Sequence, residues 1–283
     1  MERESLLATL IVVFGGLALQ LFAGWPEHIN HRTAARQLER VRWLAVWWPT
    51  APALTVAAWL CGWALSQPDP VPGHVGRLIF IAAVPFAIVG GRAVARAAWS
   101  LWHSPDAYGI VTVGLLRPRI LIAPELARSL DEPAMRAALE HERTHVRHRD
   151  PLRIWLAQLV TDLQWPWGSA RQRFTRWLAT LEIARDDEAR AGGVQGADLA
   201  AAVLSSLRFQ LGIAAAAATL IGQPEALPAR IARLLRPLQE SPSEREPRYL
   251  VVAAGLAIAW LAAVVLGILC GERLISLLLA MSF

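Results

Sequence analysis

Asp131-Glu-Pro-Ala-Met-Arg-Ala-Ala-Leu-Glu-His141-Glu142-Arg143-Thr144-His145-Val-Arg-His-Arg-Asp150-Pro151 is the stretch on which the reading of this chain turns. Asp131 is suited to cap a helix with Pro133 in its first turn. That helix is expected to run to about Arg149 and to stop at Asp150-Pro151. On it, His141 and His145 are four residues apart, so both imidazoles leave one face and can share a metal ion. Glu142, one position on, can reach a metal-bound water without being a ligand itself. Zinc lowers the pKa of such a water from 15.7 to about 7, and a neighbouring carboxylate can take its proton. The bland alternative is a solvated, charged helix face, with Arg143 and Arg147 around the same cylinder. His148, three residues past His145, reads as a helix-end histidine favoured by the dipole.

A second helix, expected from about Ser169 to Ala191 and ended by Gly192-Gly193, bears on the same chemistry. Phe174, Leu178 and Leu181 mark its apolar stripe, and Glu182 lies on that stripe. A carboxylate on a buried face needs a partner, for which a metal or a salt bridge to Arg185 or Arg153 would serve. Asp186, one turn further, is placed to accept the free N–H of a ligating histidine. Two histidines, a glutamate and a water make an open tetrahedral site of the catalytic kind. Upstream, Gly109–Gly114 and Arg119–Ala123 read as two short strands joined by a turn. Ile110, Val111, Thr112 and Val113 form a candidate substrate-binding edge, by addition of an extended peptide to the sheet, beside the plainer reading of sheet packing.

Hydrophobic residues make up 55% of the 283 residues and charged ones only 18%, with a mean hydropathy of +0.36. Apolar blocks at about 6–25, 43–66, 78–102 and 249–269 approach the length needed to span a bilayer. The expected fold is therefore a mainly α membrane protein with four transmembrane helices. Between the third and fourth lies an α+β zinc domain with a small strand pair. The domain scheme is 1–102 (three spans), 103–248 (the zinc domain) and 249–283 (the fourth span and a short tail). Leu211–Gly222 is apolar but too short to cross, and reads as a buried or membrane-resting helix. The net charge of +5 rests on arginine, since no lysine occurs. Arginines crowd the loop after the first block and the stretch 103–248. The positive-inside rule then makes both cytoplasmic and both termini extracytoplasmic. This placement explains the basic balance without direct nucleic-acid binding. Trp165 and Trp167 are suited to anchor the domain at the bilayer. Cys61 and Cys270 imply neither a disulfide framework nor a Cys-type metal site.

Beyond these local readings, the order of motifs resembles a known family. A strand pair with Pro118-Arg-Ile-Leu-Ile-Ala-Pro124 precedes His141-Glu-Arg-Thr-His145 and Arg147-His-Arg-Asp150. Trp165-Pro-Trp167, Glu182-Ile-Ala-Arg-Asp186 and Arg230-Ile-Ala-Arg-Leu-Leu235 follow. The chain resembles, over nearly its whole length, the integral-membrane metallopeptidase module of the BlaR/MecR β-lactam sensor-transducers. The resemblance implies a gluzincin-like fold and one zinc ion held by His141, His145 and Glu182. It further implies Glu142 as general base, Asp186 as outer partner, and proteolysis of a cytoplasmic protein such as a transcriptional repressor. Where those sensors carry a penicillin-binding domain, this sequence has the short apolar tail Gly271–Phe283, so β-lactam sensing by this chain is not expected, and the resemblance suggests a separate sensor protein as a partner. Competing expectations are a membrane quality-control or prenyl-protein-type protease, and a non-catalytic, zinc-stabilised signal relay. In the relay, a fourth side chain such as His148 would close the metal site.

Overall fold

Asp131 caps the central helix as its sequence suggests: its Oδ1 accepts the backbone N–H of Ala134 at 2.9 Å, and the helix runs Glu132–His148. At its end Arg149 takes a left-handed conformation, φ 52°, which turns the chain straight into the next helix at Asp150. The computed structural model describes residues 35–50, 88–99, 109–165, 167–214 and 227–237, with residue 262. In chain order the elements are α1 (Ala35–Trp47), α2 (88–99), β1 (Ile110–Val113), β2 (Arg119–Ile122), α3 (Pro124–Ser129) and α4 (Glu132–His148). After them come α5 (Asp150–Leu163), α6 (Gly168–Ala191), α7 (Gly196–Ala214) and α8 (Leu227–Leu234). The described residues are mainly helical, with one small antiparallel strand pair among them.

The chain divides into two units. One comprises Met1–Trp25, Trp47–Ile88 and Ser241–Phe283, of which the description covers little beyond the 3-10 turn Trp48–Thr50. The other, Pro26–Val46 with Val89–Glu240, holds the strand pair and the helices that build the site. Among the described residues no helix is long and apolar enough to cross a membrane. The apolar blocks at 6–25 and, residue 262 apart, 249–269 lie outside the described residues, as do most of 43–66 and 78–102.

β1 and β2 pair antiparallel in the register Ile110↔Ile122 to Val113↔Arg119. Their turn needs Gly114: at φ +95° a Cβ there would sit 2.7 Å from the Arg117 carbonyl oxygen. Ile110 points into an apolar cluster with Ala123, Leu126, Ala134, Ala138 and Ala202, so the strand packs on one face of α4. On another face, Ala137 meets Ala189 of α6, Leu199 and Ala200 of α7, and Leu234 of α8. Small alanines on α4 let its neighbours approach closely, while Leu126, Leu199 and Leu234 supply the apolar bulk. Burying each of these leucines stabilises the unit by about 1.5–3 kcal/mol. The approach of α7 to α8 depends on Gly196, where a Cβ would lie 2.0 Å from the Leu234 carbonyl oxygen. The central helix is thus clamped on several sides, which fixes the direction in which its histidines point.

α1 and α2 join the same unit from outside the 103–248 stretch. Trp43, at the start of the second apolar block, packs its ring 4.9 Å from that of Trp177 on α6. Arg42 donates to Thr180 Oγ1 and to the Arg176 carbonyl. α2 is held to α5 by Arg96 and Asp162 at 2.9 Å, and by the Trp155 indole N–H on the Ala97 carbonyl at 3.2 Å.

Candidate metal centre

His141 and His145 project from α4 with their Nε2 atoms 3.1 Å apart. Glu182, on α6, brings Oε2 to 3.5 Å from His141 Nε2 and Oε1 to 3.6 Å from His145 Nε2. One ligand atom from each of the three residues lies within 4.8 Å of the other two. Four-coordinate zinc with bonds of about 2.0–2.2 Å keeps neighbouring donor atoms about 3.3–3.6 Å apart, so the spacing suits a small divalent ion. Both histidines are buried, whereas the Glu182 side chain is 37% exposed, which gives water a route to the cluster.

The far side of each ring explains why the Nε2 atoms converge. His145 Nδ1 donates to Asp150 Oδ2 at 2.8 Å. His141 Nδ1 lies 3.0 Å from Asp186 Oδ1, close but poorly aligned for a straight hydrogen bond. A carboxylate beside each Nδ1 favours the proton there and leaves the lone pair on Nε2. Two lone pairs facing each other at 3.1 Å repel unless a cation lies between them, so the donor set fits a metal ion on its own chemistry.

These carboxylates are themselves held. Asp150, fully buried, receives Arg185 through Nε at 2.5 Å and Nη2 at 2.8 Å, and Arg153 through Nη1 at 3.1 Å. Asp186 receives Arg230 of α8 through Nε at 2.7 Å and Nη2 at 2.8 Å, and Arg230 Nη1 also lies 3.1 Å from Glu182 Oε2. Burial pushes the Glu182 and Asp186 carboxyls up, but Arg230 and His141 outweigh it and hold both below the ordinary carboxylate range. Burial likewise opposes the Arg230 cation, yet Glu182, Asp186 and Glu142 keep it charged far above neutral pH. His141 shows the same demand for positive charge: burial pulls it down, but Asp186 and Glu182 raise it to about 10. A cluster of carboxylates that favours positive charge in this way suits a cation.

Glu142 is set from the strand side. The Thr112 hydroxyl donates to Glu142 Oε2 at 2.7 Å and lies 3.1 Å from the Glu142 carbonyl oxygen. Of the expected substrate edge, Ile110 spends its side chain in the core and Thr112 on Glu142, so these two can meet a peptide only through their main chain. Among the described residues β1 pairs with β2 alone. Replacing Thr112 with valine keeps the shape and removes the donor. It is expected to lower kcat about tenfold with metal content unchanged; Thr112→Ser, which keeps the hydroxyl, retains most of the rate. Steady-state kinetics beside metal analysis of both variants checks this.

Several contacts differ from what the sequence suggests. Glu182 meets Arg230 rather than Arg185 or Arg153, which both turn to Asp150. His148, by contrast, is the helix-end histidine that the sequence suggests: its Nε2 pairs with Glu188 Oε2 at 2.7 Å, and it does not join the histidine pair. Asp150, legible only as a helix break, holds a candidate ligand; its place five residues after His145, at the start of the next helix, was the available signal. Arg230 carried no local mark beyond its motif.

A His-Glu-x-x-His helix, a glutamate from the next long helix but one and carboxylates behind the imidazoles define a metallopeptidase-like centre. Residues 107–184 match the family model described as BlaR1 peptidase M56. The match supports a BlaR1/MecR-type assignment and, with it, a peptidase; it takes in β1, the His-Glu-x-x-His helix and Glu182. No curated protein and no solved structure matches the chain.

Proposed function

We propose that this chain is a zinc-dependent membrane endopeptidase that cleaves a cytoplasmic protein in regulatory signalling. The observation that carries the reading is the convergence of His141 Nε2, His145 Nε2 and the Glu182 carboxylate on one point, with Glu142 anchored beside them by Thr112. One zinc ion per chain, held by those three residues, would supply Lewis-acid polarisation and lower the pKa of a water toward about 7. Glu142 takes the proton of the attacking water and returns it to the leaving amine. Asp186 and Asp150 orient the two rings, and Arg230 keeps Glu182 and Asp186 ionised. An extended substrate adds to the edge formed by Ile110, Val111, Thr112 and Val113, through main-chain hydrogen bonds.

Location follows from sequence patterning. Four spans place the zinc domain at the cytoplasmic face of a bacterial inner membrane, with both termini extracytoplasmic. Exposed Leu163, Trp165 and Trp167 near the end of α5 suit the headgroup level. The substrate is a cytoplasmic protein, with a transcriptional repressor as first candidate, and a separate sensor protein would supply the signal. Direct binding of nucleic acid has no part in the reading.

The test uses the full chain reconstituted in lipid bilayers. The expected results are about one zinc per chain, cleavage of a cytoplasmic protein followed by product mass spectrometry, and loss of cleavage on chelation with recovery on adding zinc. Cleavage that survives metal removal would sink the proposal, and so would tight zinc binding without cleavage of any partner, which fits the relay. Products drawn from misfolded or prenylated membrane proteins would move the assignment to quality control or prenyl-protein processing.

A further inference from the structure

The helix α1 lies outside the matched stretch 107–184, yet it carries a buried carboxylate, Glu39, only 3% exposed. Glu39 Oε1 accepts the Arg153 guanidinium through Nη2 at 2.6 Å and the Trp177 indole N–H at 2.9 Å. Arg153 is packed over the rings of Trp43 and Trp177, 4.9 and 5.8 Å from their centroids. Its other arm, Nη1, reaches Asp150 Oδ1 at 3.1 Å, and Asp150 Oδ2 takes the His145 N–H at 2.8 Å. Groups of alternating charge therefore run from Glu39 through Arg153 and Asp150 to an imidazole of the metal centre.

We propose that Glu39 is a positioning residue for that centre, acting through Arg153 and Asp150 on His145. The inference rests on the metal-centre reading above. Asp150 already carries the Arg185 fork. If Arg153 had no other anion, its guanidinium would bear on Asp150 alone. The two cations would then draw charge from the oxygen that holds His145. Glu39 balances Arg153 and leaves Asp150 free to orient the ring and raise the basicity of its Nε2. The segment between the first two apolar blocks thereby becomes a built part of the centre.

The test measures metal affinity on the full chain in lipid nanodiscs, by competition with a chromophoric chelator, and records the ligand-field spectrum of the cobalt(II) form. Glu39→Gln keeps size and an acceptor oxygen while removing the charge. It should weaken binding about 3- to 10-fold, at or below the range typical of an outer partner of a ligand, and shift the cobalt bands. Adding Arg153→Met removes the unbalanced cation and should restore affinity to within about twofold of wild type, which a merely structural role for Glu39 would not produce. Arg42→Ala, which removes contacts of α1 with Thr180 and the Arg176 carbonyl and alters none of the relay's own charges, should leave affinity and spectrum unchanged. Wild-type binding in Glu39→Gln overturns the proposal. An equal loss in Arg42→Ala, or no recovery in the double variant, does the same. Should Glu39→Gln alone fail to fold, the double variant decides: near-wild-type affinity supports the charge relay, and a tenfold loss overturns it. A wild-type chain that takes up no metal overturns the relay and the metal-centre reading together. Tight wild-type binding with an unaffected Glu39→Gln removes the relay alone.

Discussion

Turnover by the Glu142→Gln variant should fall by about 10²–10⁴-fold, the usual contribution of a positioned general acid–base group, while the metal stays bound. The substitution is nearly isosteric, and an amide oxygen can still accept the Thr112 hydroxyl that reaches Glu142 Oε2 at 2.7 Å. What is lost is the ability to take a proton. The candidate ligand atoms of His141, His145 and Glu182 are not touched, so metal content and affinity should match wild type. Single-turnover cleavage and metal analysis on the same preparation separate the two effects. Undiminished turnover would remove Glu142 from the role. Loss of metal together with activity would instead make it part of the binding set.

The second large effect belongs to Asp150, which is fully buried between Arg185 and Arg153 and carries His145. Replacing it with asparagine leaves Arg185, itself 2% exposed, with only the longer contact to Glu188 at 3.6 Å to balance its charge. Breaking a buried pair in this way costs about 3–5 kcal/mol, far more than an exposed pair would. The expected result is that much loss in denaturant unfolding of the metal-free chain, with metal affinity about 10- to 100-fold weaker. Burial alone would raise the Asp150 carboxyl, but Arg185 and His145 hold it well below its ordinary value. For a carboxylate depressed on folding, the stabilisation is complete above the unfolded value of about 3.9 and is lost as pH falls below it. Wild type and Asp150→Asn should therefore converge in stability only in strong acid. A variant as stable as wild type at neutral pH would show that the fork of hydrogen bonds adds nothing to folding.

The central helix is legible because its signals are local: a capping Asp131, Pro133 in the first turn, two histidines one turn apart and a break at Asp150-Pro151. The strand pair and the long helix Gly168–Ala191 are legible for the same reason, through alternation, glycine punctuation and an apolar stripe. Glu182 and Asp186 could be nominated because a carboxylate on a buried stripe is costly without a partner. Thr112 shows where such reasoning stops. Alternation puts it on one face of its strand, but only the packing of β1 on α4 decides that the face meets Glu142 rather than a substrate.

The His-Glu-x-x-His helix, its cap and its candidate ligands were thus set by the sequence alone, because residues within a turn or two share geometry whatever surrounds them. The tertiary structure decided which distant ions meet: Arg230 with Asp186 across 44 residues, Arg185 with Asp150 across 35, and Glu39 with Arg153 across 114. Ion pairs carry no periodic signature, and many arginines compete for each carboxylate. Which pair forms depends on which helices pack and how much water they exclude, since burial makes an unpaired charge intolerable.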